Sequence, residues 1–373
     1  MSREKANIWW NQVPAACQLA DETAAHILKG EPVYLLHAEC LPWPETFQEE
    51  VRERCEKAGC TLRFTGSEPL NRAESAGQWV YETFSHGSRR YAYRKGMDYG
   101  DFMAESPGIG LYETLLWTDL CEDKARLLQW QTFIETYRIR RENQPAARFV
   151  VAVPGNLSAP VPERTGSVKL DLYQMLDSFS LLTFAMLLLP ETVPSSLRGY
   201  TAELAALFAG RNAEFAAALL QDPEALLDNP LVWLRRKAAE GGFSLTAEPE
   251  PLLLRAQLRH VFPAIEIFRS WLVERYRFQL NEVLRQPELF AEPPEDIHEL
   301  EIGGLQYLGE TGRVFYGRDE YRLLTRSRRA RNLLAHLQTV HPGRVIEILT
   351  NTETIVERGG NFRFYAPPER LQA

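Results

Sequence analysis

Six consecutive residues, Arg331-Asn332-Leu333-Leu334-Ala335-His336, set a guanidinium, an amide and an imidazole close together in an otherwise apolar run. The imidazole can take or give a proton near neutral pH. The guanidinium can hold a phosphate, and the amide can hydrogen-bond a group held beside it. Arg328 and Arg329, just upstream, add two cations. Together these groups suit the handling of a phosphodiester. The competing reading is plain solvation, because arginine, asparagine and a single histidine are common on an exposed helix face.

The element that must position them is a helix. Arg318 to Val340 contains no Gly or Pro and is rich in Leu, Arg and Ala, which favours one uninterrupted helix. Leu323, Ser327, Ala330, Leu334 and Leu337 recur at spacings of four and three, the pattern of a core-facing stripe. Asn332 and His336 are four residues apart, hence neighbours on the opposite side. Arg328 and Arg329 project from that same side, and Arg331 reaches round from its flank.

The preceding helical stretch Leu252 to Leu284, with Val261-Phe262-Pro263-Ala264-Ile265-Glu266 and Arg269, the connector Glu299-Leu300-Glu301-Ile302-Gly303, and then Arg-Asn-Leu-Leu-Ala-His together resemble the HEPN superfamily. The resemblance covers roughly Glu248 to Thr350. It implies an all-helical bundle whose RN-x-x-x-H motif lies at a paired interface and in many members cleaves RNA without a metal; in other members the same motif shape only pairs or binds. Carried onto this chain, it makes Arg331, Asn332 and His336 the catalytic groups and Arg328 and Arg329 RNA contacts. It also implies a homodimer through the C-terminal domain, and needs no cofactor or metal.

The totals bound the rest. A chain of 373 residues fits two or three domains. A formal net charge of -8 means that any RNA contact has to use a local basic patch. Met1-Ser2-Arg3-Glu4-Lys5 leads into no apolar signal region, and the apolar run Leu181 to Leu189 is too short to span a bilayer. The expectation is a cytoplasmic protein with no membrane contact. Cys17, Cys40, Cys55, Cys60 and Cys121 form no C-x-x-C pair, so idle thiols are expected rather than a metal site.

Residues 1–173 read as a doubly wound, Rossmann-like α/β domain. Val33 to Leu36, Thr61 to Phe64 and Arg148 to Val153 are strand candidates, and Val168 to Tyr173 is a further one. Helices are expected over Ala15 to Leu28, over Pro44 to Lys57 and within Leu111 to Arg141. The order suits a nucleotide-binding sheet, yet no Walker A sequence, G-x-x-x-x-G-K-[ST], occurs. The first strand runs instead into His37-Ala38-Glu39-Cys40-Leu41-Pro42-Trp43-Pro44, and Gly108-x-Gly110 follows no expected strand. The layout is loosely similar to degenerate P-loop ATPase-like modules of bacterial defence proteins. Trp9, Trp10 and Trp43 are read as closing a core edge. Arg89, Arg90, Arg94 and Lys95, interleaved with Tyr91, Tyr93 and Tyr99, are read as a hairpin or surface loop, with nucleic-acid contact the sharper alternative.

Residues 174–245 are Ala- and Leu-rich and read as a helical extension closed by Gly241-Gly242. Residues 246–350 form the HEPN-like bundle, and residues 351–373 a tail; Val345 to Leu349 fits a strand or a helix. Two functions are compatible with the whole. One is a metal-independent endoribonuclease of antiphage-defence or toxin-like character, its N-terminal region sensing a signal or binding a protein partner. The other is a non-catalytic HEPN scaffold subunit in a defence or regulatory complex.

Overall fold

The computed structural model describes residues 2–66, 75–85, 92–106, 110–121, 123–142, 144–157, 166–245, 247–286, 288 and 294–358. Arg89, Arg90, Tyr91, Gly108, much of the Pro287–Asp296 connector and the tail from Gly359 onward lie outside these residues. The strands are β1 (Val33–Leu36), β2 (Arg63–Gly66), β3 (Thr114–Trp117), β4 (Arg148–Val153) and β5 (Val168–Asp171). The helices are α1 (Ser2–Gln12), α2 (Pro14–Lys29), α3 (Pro44–Lys57), α4 (Ala76–Phe84), α5 (Tyr99–Glu105), α6 (Lys124–Arg140), α7 (Leu172–Met175), α8 (Ser178–Leu188), α9 (Ser195–Ala209), α10 (Ala213–Leu219), α11 (Pro223–Asp228), α12 (Pro230–Gly241), α13 (Pro249–Arg275), α14 (Arg277–Leu284), α15 (Ile302–Glu310), α16 (Arg318–Ala335) and α17 (Pro342–Arg358). Among the described residues, no helix is long and apolar enough to cross a membrane.

The chain divides into two compact units: Met1–Phe184 with Arg211–Glu214, and Ala185–Gly210 with Phe215–Ala373. The first unit is mixed α/β. Its five strands are all parallel, in the order β2-β3-β4-β1-β5. β1 and β4 are nearly continuous apolar runs, as expected of parallel strands covered on both faces. Tyr34, Leu116, Phe149, Val151 and Val153 join Trp79, Phe102, Trp130 and Phe133 of α4, α5 and α6 in one core. On the other face Trp117 meets the ring of Phe47 in α3 at 5.7 Å, and Phe47 meets Trp10 in α1 at 4.5 Å.

β3 is the strand that the sequence conceals. The segment Leu111 to Arg141 is α-helical only from Lys124 to Arg140, while Thr114–Trp117, after a short 3-10 turn ending at Glu113, pairs with both β2 and β4. A four-residue apolar run carries no period that distinguishes strand from buried helix. Trp9 and Trp10 are 1% and 0% exposed, which places them in the core as the sequence suggests.

The second unit is helical. α13 packs against α9, α16 and α17, and α15 packs on α16. Val345–Leu349 is helical, and α17 runs on to Arg358. The N-terminus of α16 is tied down by Glu320, which is 5% exposed. This carboxylate accepts from the Gly317 backbone N–H at 3.0 Å, from Arg275 Nε at 2.7 Å and from the Tyr276 hydroxyl. Capping and tertiary anchoring therefore fall on one side chain.

Candidate functional site

The buried face of α16 is formed by Leu323, Leu324, Ser327, Ala330 and Leu334, with Glu320 at its start. Four of the five residues of the expected core stripe are thus buried. Leu337 is not: it is 71% exposed and takes φ 56°, in the left-handed region. The helix ends before it. The Gln338 N–H bonds the Leu333 carbonyl at 2.9 Å and the Leu337 N–H bonds the Leu334 carbonyl at 3.0 Å, the paired bonds of a Schellman stop. His336 is consequently the C-cap (φ -95°, ψ 17°), its N–H donating to the Asn332 and Leu333 carbonyls at 3.1 Å.

The segment after this stop is held by Gln257 of α13, which is wholly buried. Its amide donates to the Val340 carbonyl and accepts from the Val340 N–H, both at 2.7 Å. That pairing gives two backbone groups a partner that no helix or sheet supplies. The sequence offered one faint signal: a glutamine standing at core spacing between Leu253 and Val261.

Arg329, Asn332 and His336 are exposed, while Arg328 and Arg331 are half-buried. Among the described residues, no hydrogen bond or ion pair joins any two of the five, and the side chains of Asn332 and His336 make none at all. Arg331 is engaged: its Nη2 lies 3.1 Å from Glu301 Oε2, and that glutamate is 70% exposed. Glu301 belongs to a connector braced by Arg269, which donates to the carbonyls of His298 at 2.9 Å and Leu300 at 3.3 Å while pairing with Glu266 at 2.7 Å. Arg331, Arg269 and Glu301 line a shallow pocket of about 170 Å³. Further round α16, Arg326 and Arg344 share the single carboxylate of Glu347, at 3.8 and 2.9 Å. Burial pushes Arg344 below the ordinary arginine range, the Glu347 charge opposes that, and Arg326 and Arg329 add to the lowering. The motif helix thus carries a local concentration of positive charge within an acidic chain.

The carboxyl end of the sheet, where doubly wound folds usually bind ligands, is differently occupied. Within the β1–α3 loop, His37 and Trp43 both have positive φ, 60° and 45°. The His37 ring stacks on Tyr173 at 4.9 Å, and its Nε2 lies 3.7 Å from Asp171 Oδ1. Glu39 accepts from the Gly155 N–H at 2.9 and 3.0 Å. A Cβ on Gly155 would sit 2.0 Å from His37 Nδ1, so glycine is required there. A carboxylate therefore meets the backbone N–H beside β1, where a phosphate loop would need open donors.

Of the basic–aromatic stretch, Tyr93 and Tyr99 stack on each other at 4.8 Å, and Tyr81 packs against both; Arg94 and Lys95 are exposed. All five cysteines are free thiols, and burial raises Cys55 and Cys121 to about 11. Among the described residues, no group of three or more His, Cys, Asp or Glu is arranged to hold a metal ion. Comparison of the chain with family models, with curated proteins and with solved structures gives no match in any of the three.

Proposed function

We propose that the protein is a metal-independent endoribonuclease of the HEPN type, working as a homodimer in which the exposed face of α16 from two copies forms one site. The observation that carries this reading is the open presentation of Arg329, Asn332 and His336 on the solvent side of a helix whose other side is core. His336 removes the proton of a ribose 2′-hydroxyl, and the resulting oxygen attacks the adjacent phosphorus. The 5′ oxygen departs, taking a proton from the second imidazole of the pair, and a 2′,3′-cyclic phosphate remains. Arg331 stabilises the charge on the phosphoryl oxygens after exchanging Glu301 for phosphate. Asn332 orients the scissile group, and Arg328 and Arg329 hold the flanking strand. The N-terminal unit, a doubly wound Rossmann-like domain in this reading, senses a signal or binds a protein partner, as befits a bacterial antiphage-defence or toxin-like effector.

A second reading, a non-catalytic scaffold subunit, is favoured by a separate observation: Leu333 and Leu337, 36% and 71% exposed, lie on either side of His336 in sequence and suit a pairing surface. Incubating the protein with mixed cellular RNA in chelator, beside a His336→Ala variant of matched melting temperature, separates the two. Cleavage by the parent alone, leaving cyclic-phosphate ends, is the expected result. A homodimer that leaves RNA intact, in parent and variant alike, refutes the nuclease reading and favours the scaffold.

A further inference from the structure

A second site of different chemistry lies in the first unit, at the amino-terminal edge of the sheet. There the C-terminal ends of α2 and α6 converge beside the first residue of β4. Lys29, Arg138, Arg141 and Arg148 line a pocket of about 400 Å³ in which Glu142 is the one carboxylate. Each arginine spends part of its donor fork on helix-end and loop carbonyls. Arg148 donates through Nε to Ile27 at 3.0 Å and through Nη1 to Ala146. Arg141 donates to Pro145 through Nε at 2.9 Å and through Nη2, and to Ala104 through Nη1 at 3.2 Å, and Arg138 donates to Gly30. Among the described residues, none of the three forms an ion pair with a carboxylate. Those carbonyls account for the placing of the guanidinium groups and offset some of their charge. They do not neutralise it, and a guanidinium has five N–H donors to satisfy.

We propose that this pocket binds a small phosphorylated ligand of nucleotide size through Lys29, Arg138, Arg141 and Arg148. Four cations against one carboxylate select a multiply charged anion over a monocarboxylate, and the planar forks match phosphate oxygens in pairs. The volume falls within the range of small-molecule sites, about 300–1,000 Å³. Burial, together with the Arg148 charge, holds Arg138 below the ordinary arginine range although the Glu31 charge opposes the shift, and an anion in the pocket relieves the remaining repulsion. The site stands at the edge of the sheet opposite the carboxyl ends of the strands, so it does not depend on the missing phosphate loop. Nor does it depend on the ribonuclease reading, which concerns the other unit.

The test is calorimetric titration of the full-length protein with pyrophosphate, ADP and a short single-stranded RNA in magnesium-free buffer. Saturable binding of pyrophosphate and ADP is expected, unchanged in His336→Ala and in Arg140→Gln, whose side chain pairs with Asp101 outside the pocket. Affinity should fall by at least about tenfold in Arg141→Gln and in Lys29→Glu, the loss expected when a charge-assisted contact is removed. Lys29 is exposed and holds no backbone carbonyl, so its variant keeps the test clear of folding defects. Absence of pyrophosphate and ADP binding, equal affinity in the Lys29 variant, or binding of the RNA alone overturns the proposal.

Discussion

Leu337 holds a left-handed backbone conformation that costs a side chain about 1–2 kcal/mol and exposes most of its surface in doing so. Leu337→Gly should therefore raise stability, by about 0.5–1 kcal/mol after the extra chain entropy of glycine is counted, measured as a denaturant midpoint at constant m-value. Gln257→Leu should act the other way. Losing the amide strands the buried N–H and carbonyl of Val340 at a cost of about 2–4 kcal/mol, and the Schellman stop beside His336 should loosen with it. His260 supplies a pH prediction. Burial lowers its titration below the ordinary 6.5, Arg259 adds to this, and Glu203 opposes it; the neutral ring packs against Tyr200 at 6.0 Å. The unfolded imidazole gains its proton first as pH falls, so stability is full above about 6.5 and declines through the lowered folded value. Melting temperatures between pH 7 and 5 should fall less steeply in His260→Gln than in the parent. At this scale the sequence was a partial guide. Leu323, Ser327, Ala330 and Leu334 were legible as core from spacing alone, whereas Leu337 continued the same spacing past a helix end that no glycine announced.

The helix that carries the motif is specified from both ends by residues outside it. Glu320→Ala removes the acceptor shared by Arg275, Tyr276 and Gly317, and leaves Tyr276 without its carboxylate. Arg275 is left partly exposed and the Gly317 N–H still donates to the Tyr276 hydroxyl at 2.9 Å, so the loss should cost about 1–3 kcal/mol, visible as a lower unfolding midpoint. Glu301→Gln separates anchoring from chemistry. Its carboxylate is largely exposed, so the melting temperature should stay put, while Arg331 is freed and, under the proposed ribonuclease function, low-salt RNA affinity should rise in a fluorescence titration. A fall in affinity would show that Glu301 positions Arg331 instead of restraining it. Elements differ in how plainly they can be read. β1 follows Gly30-Glu31-Pro32 and starts with Val33 and Tyr34, and β4 lies between Pro145 and Pro154 and carries Phe149, Val150, Val151 and Val153. β3 is Thr-Leu-Leu-Trp beside a long helix, and only its pairing with β2 and β4 makes it a strand.

Across the whole molecule, the break at Gly241-Gly242 and the acidic, proline-containing stretch Glu248-Pro249-Glu250-Pro251 that opens α13 are local composition signals, and both lie inside the second unit. The division of the chain rests on contacts between residues far apart in sequence, which no short window contains. α9 shows this most clearly: ten of its fifteen residues are buried, and it packs on α13 and α17. A polypeptide ending before Pro342 would lack α17, and should be recovered as aggregate or as a species that binds hydrophobic dyes. The same distance has a meaning during synthesis. As the nascent chain leaves the ribosome, α9 emerges long before the helices that cover it. At ordinary elongation rates it waits on the order of ten seconds with its apolar surface bare. The second unit is thus closed by its last described helix: α9, α13 and α16 all wait for α17 before their apolar faces are fully covered.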